Sequence, residues 1–236
     1  PHGEEWFHEA MLECYLPLLR TFRRLASEIR GSLGITINLT PILAEQMGDA
    51  LMKDHFREYL AERIDRARQD VERFQADGGP QLTTAQFHLQ RYEATRDFFE
   101  RELGRDVIGA FAALESSGHI EIATSAATHA YLPLLDNESA VRFQIETGVR
   151  SHIRNFGRRP RSFWLPECAY EPGLERYLAD AGIKVFFVET HLVTGGHARG
   201  KALGGVLGPY SEMGRELSIE ETVEVPSTYG TTFKPY

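Results

Sequence analysis

The chain has 236 residues, enough for one large domain or two small ones with a buried core. Hydrophobic residues are 42% and charged residues 25%, which excludes wholesale disorder, and a net charge of −8 argues against nucleic acid as a partner. Two cysteines cannot supply a cysteine-rich zinc site or a disulfide framework, so a cytoplasmic location is expected.

No run of about 18 apolar residues predicts a membrane span. The opening Pro1-His2-Gly3-Glu4-Glu5 is unlike a signal peptide, and the chain reads as a piece of something longer. Trp6, Phe7, Ala10, Met11, Cys14, Tyr15, Leu18, Leu19, Phe22, Leu25, Ala26 and Ile29 recur at helical spacing, with Pro17 expected to bend or split the helix. Ile35 to Leu39 is short and β-branched, a strand, and Pro41 suits the first turn of the next helix. One helical stretch is then predicted toward Phe74, its stripe made by Phe56, Tyr59, Leu60, Ile64, Ala67, Val71 and Phe74.

Gly78-Gly79-Pro80 breaks that stretch. Thr83 with Gln86 reads as a capping box, opening a helix that buries Phe87, Tyr92, Phe99 and Leu103. Residues from about 41 to 104 thus form a helical insertion between strands. Asp106 caps a shorter helix ending near Gly118. Strands follow at His119–Thr124, Ser162–Leu165 and Ile183–Val188, with helices at about Asn137–Phe156 and Pro172–Ala181 between them. Strand–helix alternation is α/β order with a parallel sheet, and the apolar Ile183–Val188 suits a strand covered on both faces. Periodicity alone leaves barrel and open sheet undivided. The glycine-rich Gly195–Gly214 reads as a mobile surface loop; within it, the near-P-loop Gly195–Ala202 lacks the hydroxyl that must reach Mg²⁺.

Ser162-Phe163-Trp164-Leu165-Pro166-Glu167-Cys168-Ala169-Tyr170 is the densest constellation of reactive and aromatic residues. Pro166 ends the strand, so Glu167 stands just beyond its carboxyl end, the rim where parallel α/β folds collect ligands. A carboxylate beside an indole and a phenol suits a sugar. The plainer reading is a loop glutamate beside two packing aromatics. In the second constellation, His119, Glu121 and Ala123 share one strand face, and His129 lies in the loop that follows. A salt-bridged Glu121 and a backbone-bonded His129 are the plainer readings there. Arg154, Arg158, Arg159 and Arg161 read most simply as a solvated basic loop.

The phrase Phe163-Trp164-Leu165-Pro166-Glu167-Cys168-Ala169-Tyr170 resembles the nucleophile region of glycoside hydrolase family 57. Gly118-His119-Ile120-Glu121 with Thr128-His129 resembles that family's preceding conserved region. Glu13 to Leu19, Thr40 to Gln46 and Thr190 to Val193 are similar to its 1,4-alpha-glucan branching enzymes, and the likeness runs in order through nearly the whole chain. The resemblance implies an α/β fold, an incomplete (β/α)7 barrel with helical insertions, and retaining chemistry on alpha-1,4-glucan without metal or organic cofactor. It implies that Glu167 is the catalytic nucleophile and that His129, Glu121 and Trp164 bind substrate.

Two parts of the family pattern are missing. The first strand is expected before Pro1, and the aspartate acid together with later strands and a helical domain is expected after Tyr236. Asp180 falls inside a predicted helix, so this stretch alone is expected to be inactive and to fold poorly. An alpha-amylase, a 4-alpha-glucanotransferase, a non-catalytic glucan binder and a metal-dependent polysaccharide deacetylase are the alternatives.

Overall fold

A computed structural model describes residues 3–75 and 78–189 of the chain. The chain divides after Phe186 into two units, and all but three of the described residues belong to the first. The Gly195–Gly214 segment and Thr190 to Val193 lie outside the described residues.

The first helical run opens with α1 (Glu4–Ala10), passes through a π-helical turn at Met11–Tyr15 and continues as α2 (Leu16–Glu28). Pro17 therefore does not split it. Proline removes an N–H and crowds the preceding turn; here the wider π turn, closed by Leu16 N–H to the Met11 carbonyl, lies just before it. The extra residue in that turn shifts the buried stripe. Leu12 and Leu16 enter the core, whereas Cys14 and Leu18 from the uniform spacing are exposed, as is Trp6.

After β1 (Ile35–Asn38), Thr40 caps α3 (Pro41–Gly48) by accepting from Leu43 N–H. The predicted single stretch then breaks. Asp49 is extended and caps a new helix, α4 (Ala50–Phe74), accepting from Met52 N–H at 2.9 Å. The α4 stripe is as expected: Phe56, Leu60, Ile64 and Ala67 are buried. α5 (Gly79–Asp97) packs back along α4, joined to it by a short connection. It starts five residues earlier than the capping box implied. Thr83 and Thr84 are internal and donate to the carbonyls of Gly79 and Pro80. Phe99 and Leu103 are buried beyond it, but Phe87 is exposed.

α6 (Val107–Ser116) is capped by Asp106, as read, and leads into β2 (Ile120–Ser125). Asn137 caps α7 (Glu138–Phe156), and Gly157, left-handed at φ 71°, ends it. β3 (Ser162–Trp164), α8 (Leu174–Asp180) and β4 (Val185–Phe187) complete the described order. The sheet runs β1-β2-β3-β4, with β1–β2 and β2–β3 parallel. β4 is not covered on both faces: Val185 is 47% exposed. Among the described strands β4 is outermost, with no further neighbour to shield it.

Ile120 and Ile122 pack into the core with Phe98, Phe99 and Phe111. Side chains alternate along a strand, so Glu121 and Ala123 belong to the opposite face. α7 approaches β2 closely because residue 148 is glycine. A Cβ there would stand 2.1 Å from the Ser125 carbonyl oxygen.

Candidate active site at the carboxyl rim of the sheet

Ser125 and Trp164 are register partners at the ends of β2 and β3, and the Ser125 hydroxyl donates to the Trp164 carbonyl at 2.8 Å. Both chains then leave the ladder. Leu165 is fully buried and fixes the exit of β3; Pro166 opens a single 3₁₀ turn, Pro166–Cys168. Glu167 (φ 58°, ψ 22°) and Cys168 (φ 52°) are both left-handed. From the other side His129 is also left-handed, at φ 59°. Each such non-glycine backbone costs about 1–2 kcal/mol, and three of the four in the described chain meet at this rim. Backbone strain of this kind clusters at active sites, ligand clamps and switch regions.

The two strained loops bring His129 Nε2 to 3.2 Å from Glu167 Oε1. An ionised carboxylate can only accept, so the bond then places a proton on Nε2. The side chains are 41% and 70% exposed, so a ligand can reach them directly from solvent. Trp164 is half-buried three residues before the carboxylate. Tyr170 stacks on Phe186 with ring centroids 5.8 Å apart, and its hydroxyl donates to Glu175 at 3.0 Å. Burial first, and the Glu175 bond second, push the Tyr170 hydroxyl pKa up. The rim therefore combines an accessible carboxylate, an imidazole and flat aromatic surface.

Glu121 is not brought to this pair. It lies four residues before Ser125 on β2, roughly 13 Å back along the strand at ~3.3 Å per residue. Its Oε1 accepts from Ser162 Oγ at 2.6 Å and its Oε2 is 3.9 Å from Arg161. Close by, Glu115 is buried, with Oε1 accepting from Ile122 N–H at 3.0 Å. Burial pushes the Glu115 carboxyl pKa up, against the pull of that N–H and of Arg158. The basic cluster is more than a solvated loop: Arg159 donates to the Ala181 carbonyl at 2.7 Å and Arg154 pairs with Glu45. Glu115, Glu121, Arg158, Arg159 and Arg161 line a polar cavity of about 430 Å³ at the amino end of the sheet. A larger cavity of about 520 Å³ lies between α4 and α5, lined by Phe74, His88 and Tyr92. It contains neither member of the His129–Glu167 pair.

His119 bonds the Gly31 carbonyl through Nδ1 at 2.8 Å, and Asp180 pairs with Arg142 at 3.0 Å. Among the described residues no three His, Cys, Asp or Glu side chains group as a metal site. Among those residues, too, no helix is long and apolar enough to cross a membrane. Gln144, which the sequence reading passed over, is part of the rim. Its main-chain oxygen accepts from Ala127 N–H, and its side chain bonds Thr128. A glutamine inside an amphipathic helix carries no sequence signal of such a role.

Residues 1–222 match the glycosyl hydrolase family 57 model. The 1,4-alpha-glucan branching enzyme of Thermococcus kodakarensis is 35% identical over the whole of this chain, which covers 34% of that enzyme. A probable 1,4-alpha-glucan branching enzyme of Mycobacterium tuberculosis is 29% identical over 97% of this chain and 45% of its own length. Among solved structures, the Thermococcus enzyme in complex with glucose superposes with a TM-score of 0.76 at 37% identity, over 83% of this chain and 37% of that one. The alpha-amylase AmyC of Thermotoga maritima gives 0.76 at 31% identity, over 82% and 36%. The chain thus spans between a third and a half of the length of the curated relatives it matches.

Proposed function

The chain belongs to glycosyl hydrolase family 57, and from that premise we propose that it is the nucleophile-bearing part of a retaining 1,4-alpha-glucan branching enzyme. In this reading β1 to β4 are four strands of a (β/α)7 barrel, residues 41–104 are its helical insertion, and later strands and a helical domain follow in the full-length protein. The observation that carries it is the Glu167 carboxylate, exposed at the carboxyl rim and held through one oxygen by His129.

Glu167 attacks the anomeric carbon of an alpha-1,4-linked glucose. The glycosidic bond breaks, its oxygen takes a proton from an acid beyond Tyr236, and the sugar becomes a β-glycosyl ester of Glu167. A glucan 6-hydroxyl then attacks the same carbon, gives its proton to the group that acted as acid, and frees the Glu167 carboxylate. Two inversions retain the alpha configuration. His129 orients one carboxylate oxygen and leaves the other for bond formation. Trp164 offers a flat face to the sugar's C–H surface, and the Tyr170–Phe186 stack extends it.

The superposition on an alpha-amylase supports a second reading on the same residues, in which water replaces the 6-hydroxyl. Products separate the two. Full-length protein incubated with amylose yields new alpha-1,6 anomeric signals in the first reading and free reducing ends in the second. Trapping with a 5-fluoro-glucosyl fluoride tests both. The added mass is expected on the peptide containing Glu167, and a label on any other carboxylate removes the assignment.

A further inference from the structure

His129 is an exposed loop residue in a backbone region that costs about 1–2 kcal/mol, so neighbouring groups must hold it there. Its own N–H returns to the Ala126 carbonyl at 3.2 Å. The two residues between are gripped from α7 by one side chain and its own carbonyl. Gln144 accepts from Ala127 N–H through its main-chain oxygen at 2.9 Å. Its side-chain Oε1 accepts from Thr128 N–H at 3.0 Å, and its Nε2 donates to Thr128 Oγ1 at 3.0 Å.

One helical turn further along α7, on the same face, Gly148 lies against Ser125. Ser125 in turn bonds the Trp164 carbonyl ahead of Glu167. The helix that carries Gln144 is therefore indexed against both strand ends. A shift of Thr128 displaces the imidazole and leaves the strand ends in place. We propose that Gln144 is a positioning residue: it sets the backbone of the β2–α7 loop so that His129 meets Glu167. Among the described residues its hydrogen bonds to this loop go to Ala127 and Thr128, and it acts on the pair through them.

The turnover part of the test rests on the function proposed above; the spectroscopic part does not. In the full-length protein, Gln144→Ala is expected to lower kcat on amylose roughly 10- to 100-fold, the scale of an ångström-level misplacement, with KM changed by less than about threefold. Gln144→Glu loses the Nε2 donor but keeps an acceptor for Thr128 N–H and for the Thr128 hydroxyl, which lies 3.3 Å from Oε1, and is expected to recover activity to within about threefold of the parent. Thr128→Ala, which keeps the backbone bond, is expected to fall in between.

Independently, ¹⁵N-labelled histidine reports the His129 ring. Glu167→Gln is expected to move the His129 Nε2 resonance in the parent and to leave it unmoved in Gln144→Ala. Three results would overturn the proposal: an unchanged kcat in Gln144→Ala, no recovery with glutamate, or an equal Nε2 response in both backgrounds. A full-length protein inactive on every glucan would defeat the proposed function, and the Nε2 response would still decide the role of Gln144.

Discussion

The two ends of one short sheet handle their carboxylates in opposite ways. At the amino end, Glu121 has Ser162 and Arg161 as partners, and Glu115 is buried with a backbone N–H on one oxygen. At the carboxyl end, Glu167 is exposed, its loop is strained, and His129 is its one side-chain partner among the described residues. A carboxylate tied into hydroxyl and guanidinium contacts contributes to the fold and has little left for a ligand. In the function proposed above, the carboxylate held by a single oxygen on a costly backbone is the one that meets substrate. Spacing within a strand nominates both residues, and the end of the strand on which each lies gives them different surroundings.

Substitution of the paired glutamates is the sharpest way to break that contrast. Glu167→Gln in the full-length protein is expected to cut turnover by at least about 10⁴-fold, because the amide is nearly isosteric and not nucleophilic. The thermal midpoint should stay within about 2 °C, since the side chain is exposed. A variant that keeps a tenth of the parent activity would sink the distinction.

Gly148→Ala tests whether the rim depends on the close approach of α7. The added Cβ would meet the Ser125 carbonyl, a backbone atom that cannot swing aside. A loss of roughly 3 kcal/mol or more is expected in urea denaturation. A midpoint shift worth under about 1 kcal/mol would mean that helix and strand can separate without consequence.

His152, also on α7, supplies a pH dependence. It is 2% exposed, and burial, aided by the nearby Arg158 charge, lowers its pKa to about 4. The unfolded ring titrates near its ordinary 6.5. Between those values the unfolded chain binds more protons than the folded one, so stability rises with pH. The contribution is complete above about 6.5, and roughly 3 kcal/mol is lost as pH falls toward 4. Replacing the ring by leucine should flatten that limb of the stability curve; an unchanged acid slope would point to other groups.

The smallest effect is expected at the quiet end of the sheet. Glu121→Gln keeps the acceptor for Ser162 and loses only a long ion pair to an exposed arginine, so stability should change by less than about 1 kcal/mol. Glucan turnover should stay within threefold. A hundredfold fall would erase the contrast between the two ends.

Local chemistry made much of this legible beforehand. Asp106, Asn137 and Pro41 mark helix starts because capping oxygens and a preset φ act within one turn. Pro166 marks the rim because it cannot continue a ladder. What stayed hidden depends on geometry that no short window holds. The break at Asp49 interrupts a hydrophobic rhythm that runs through it, and the π turn before Pro17 resets the phase of the first stripe. Helix α5 begins at Gly79, so Thr83 lies inside it and bonds back to the Gly79 carbonyl instead of capping. Glu167 and His129 could be named from the resemblance, but their 3.2 Å contact joins residues 38 apart. Gln144 works through bonds to a loop 16 residues earlier, which periodicity does not record.

The shared left-handed backbone of His129 and Glu167 also narrows the menu for anyone who engineers this rim. Asparagine, aspartate and glycine tolerate that conformation; valine, isoleucine and threonine do not. At position 129, an asparagine swap removes the ring while keeping the chain path, so its phenotype reads the ring alone. At position 167, aspartate suits the turn and merely shortens the arm by one carbon, which makes it a ruler for reach. A saturation library scored without that distinction would mistake twisted loops for lost chemistry.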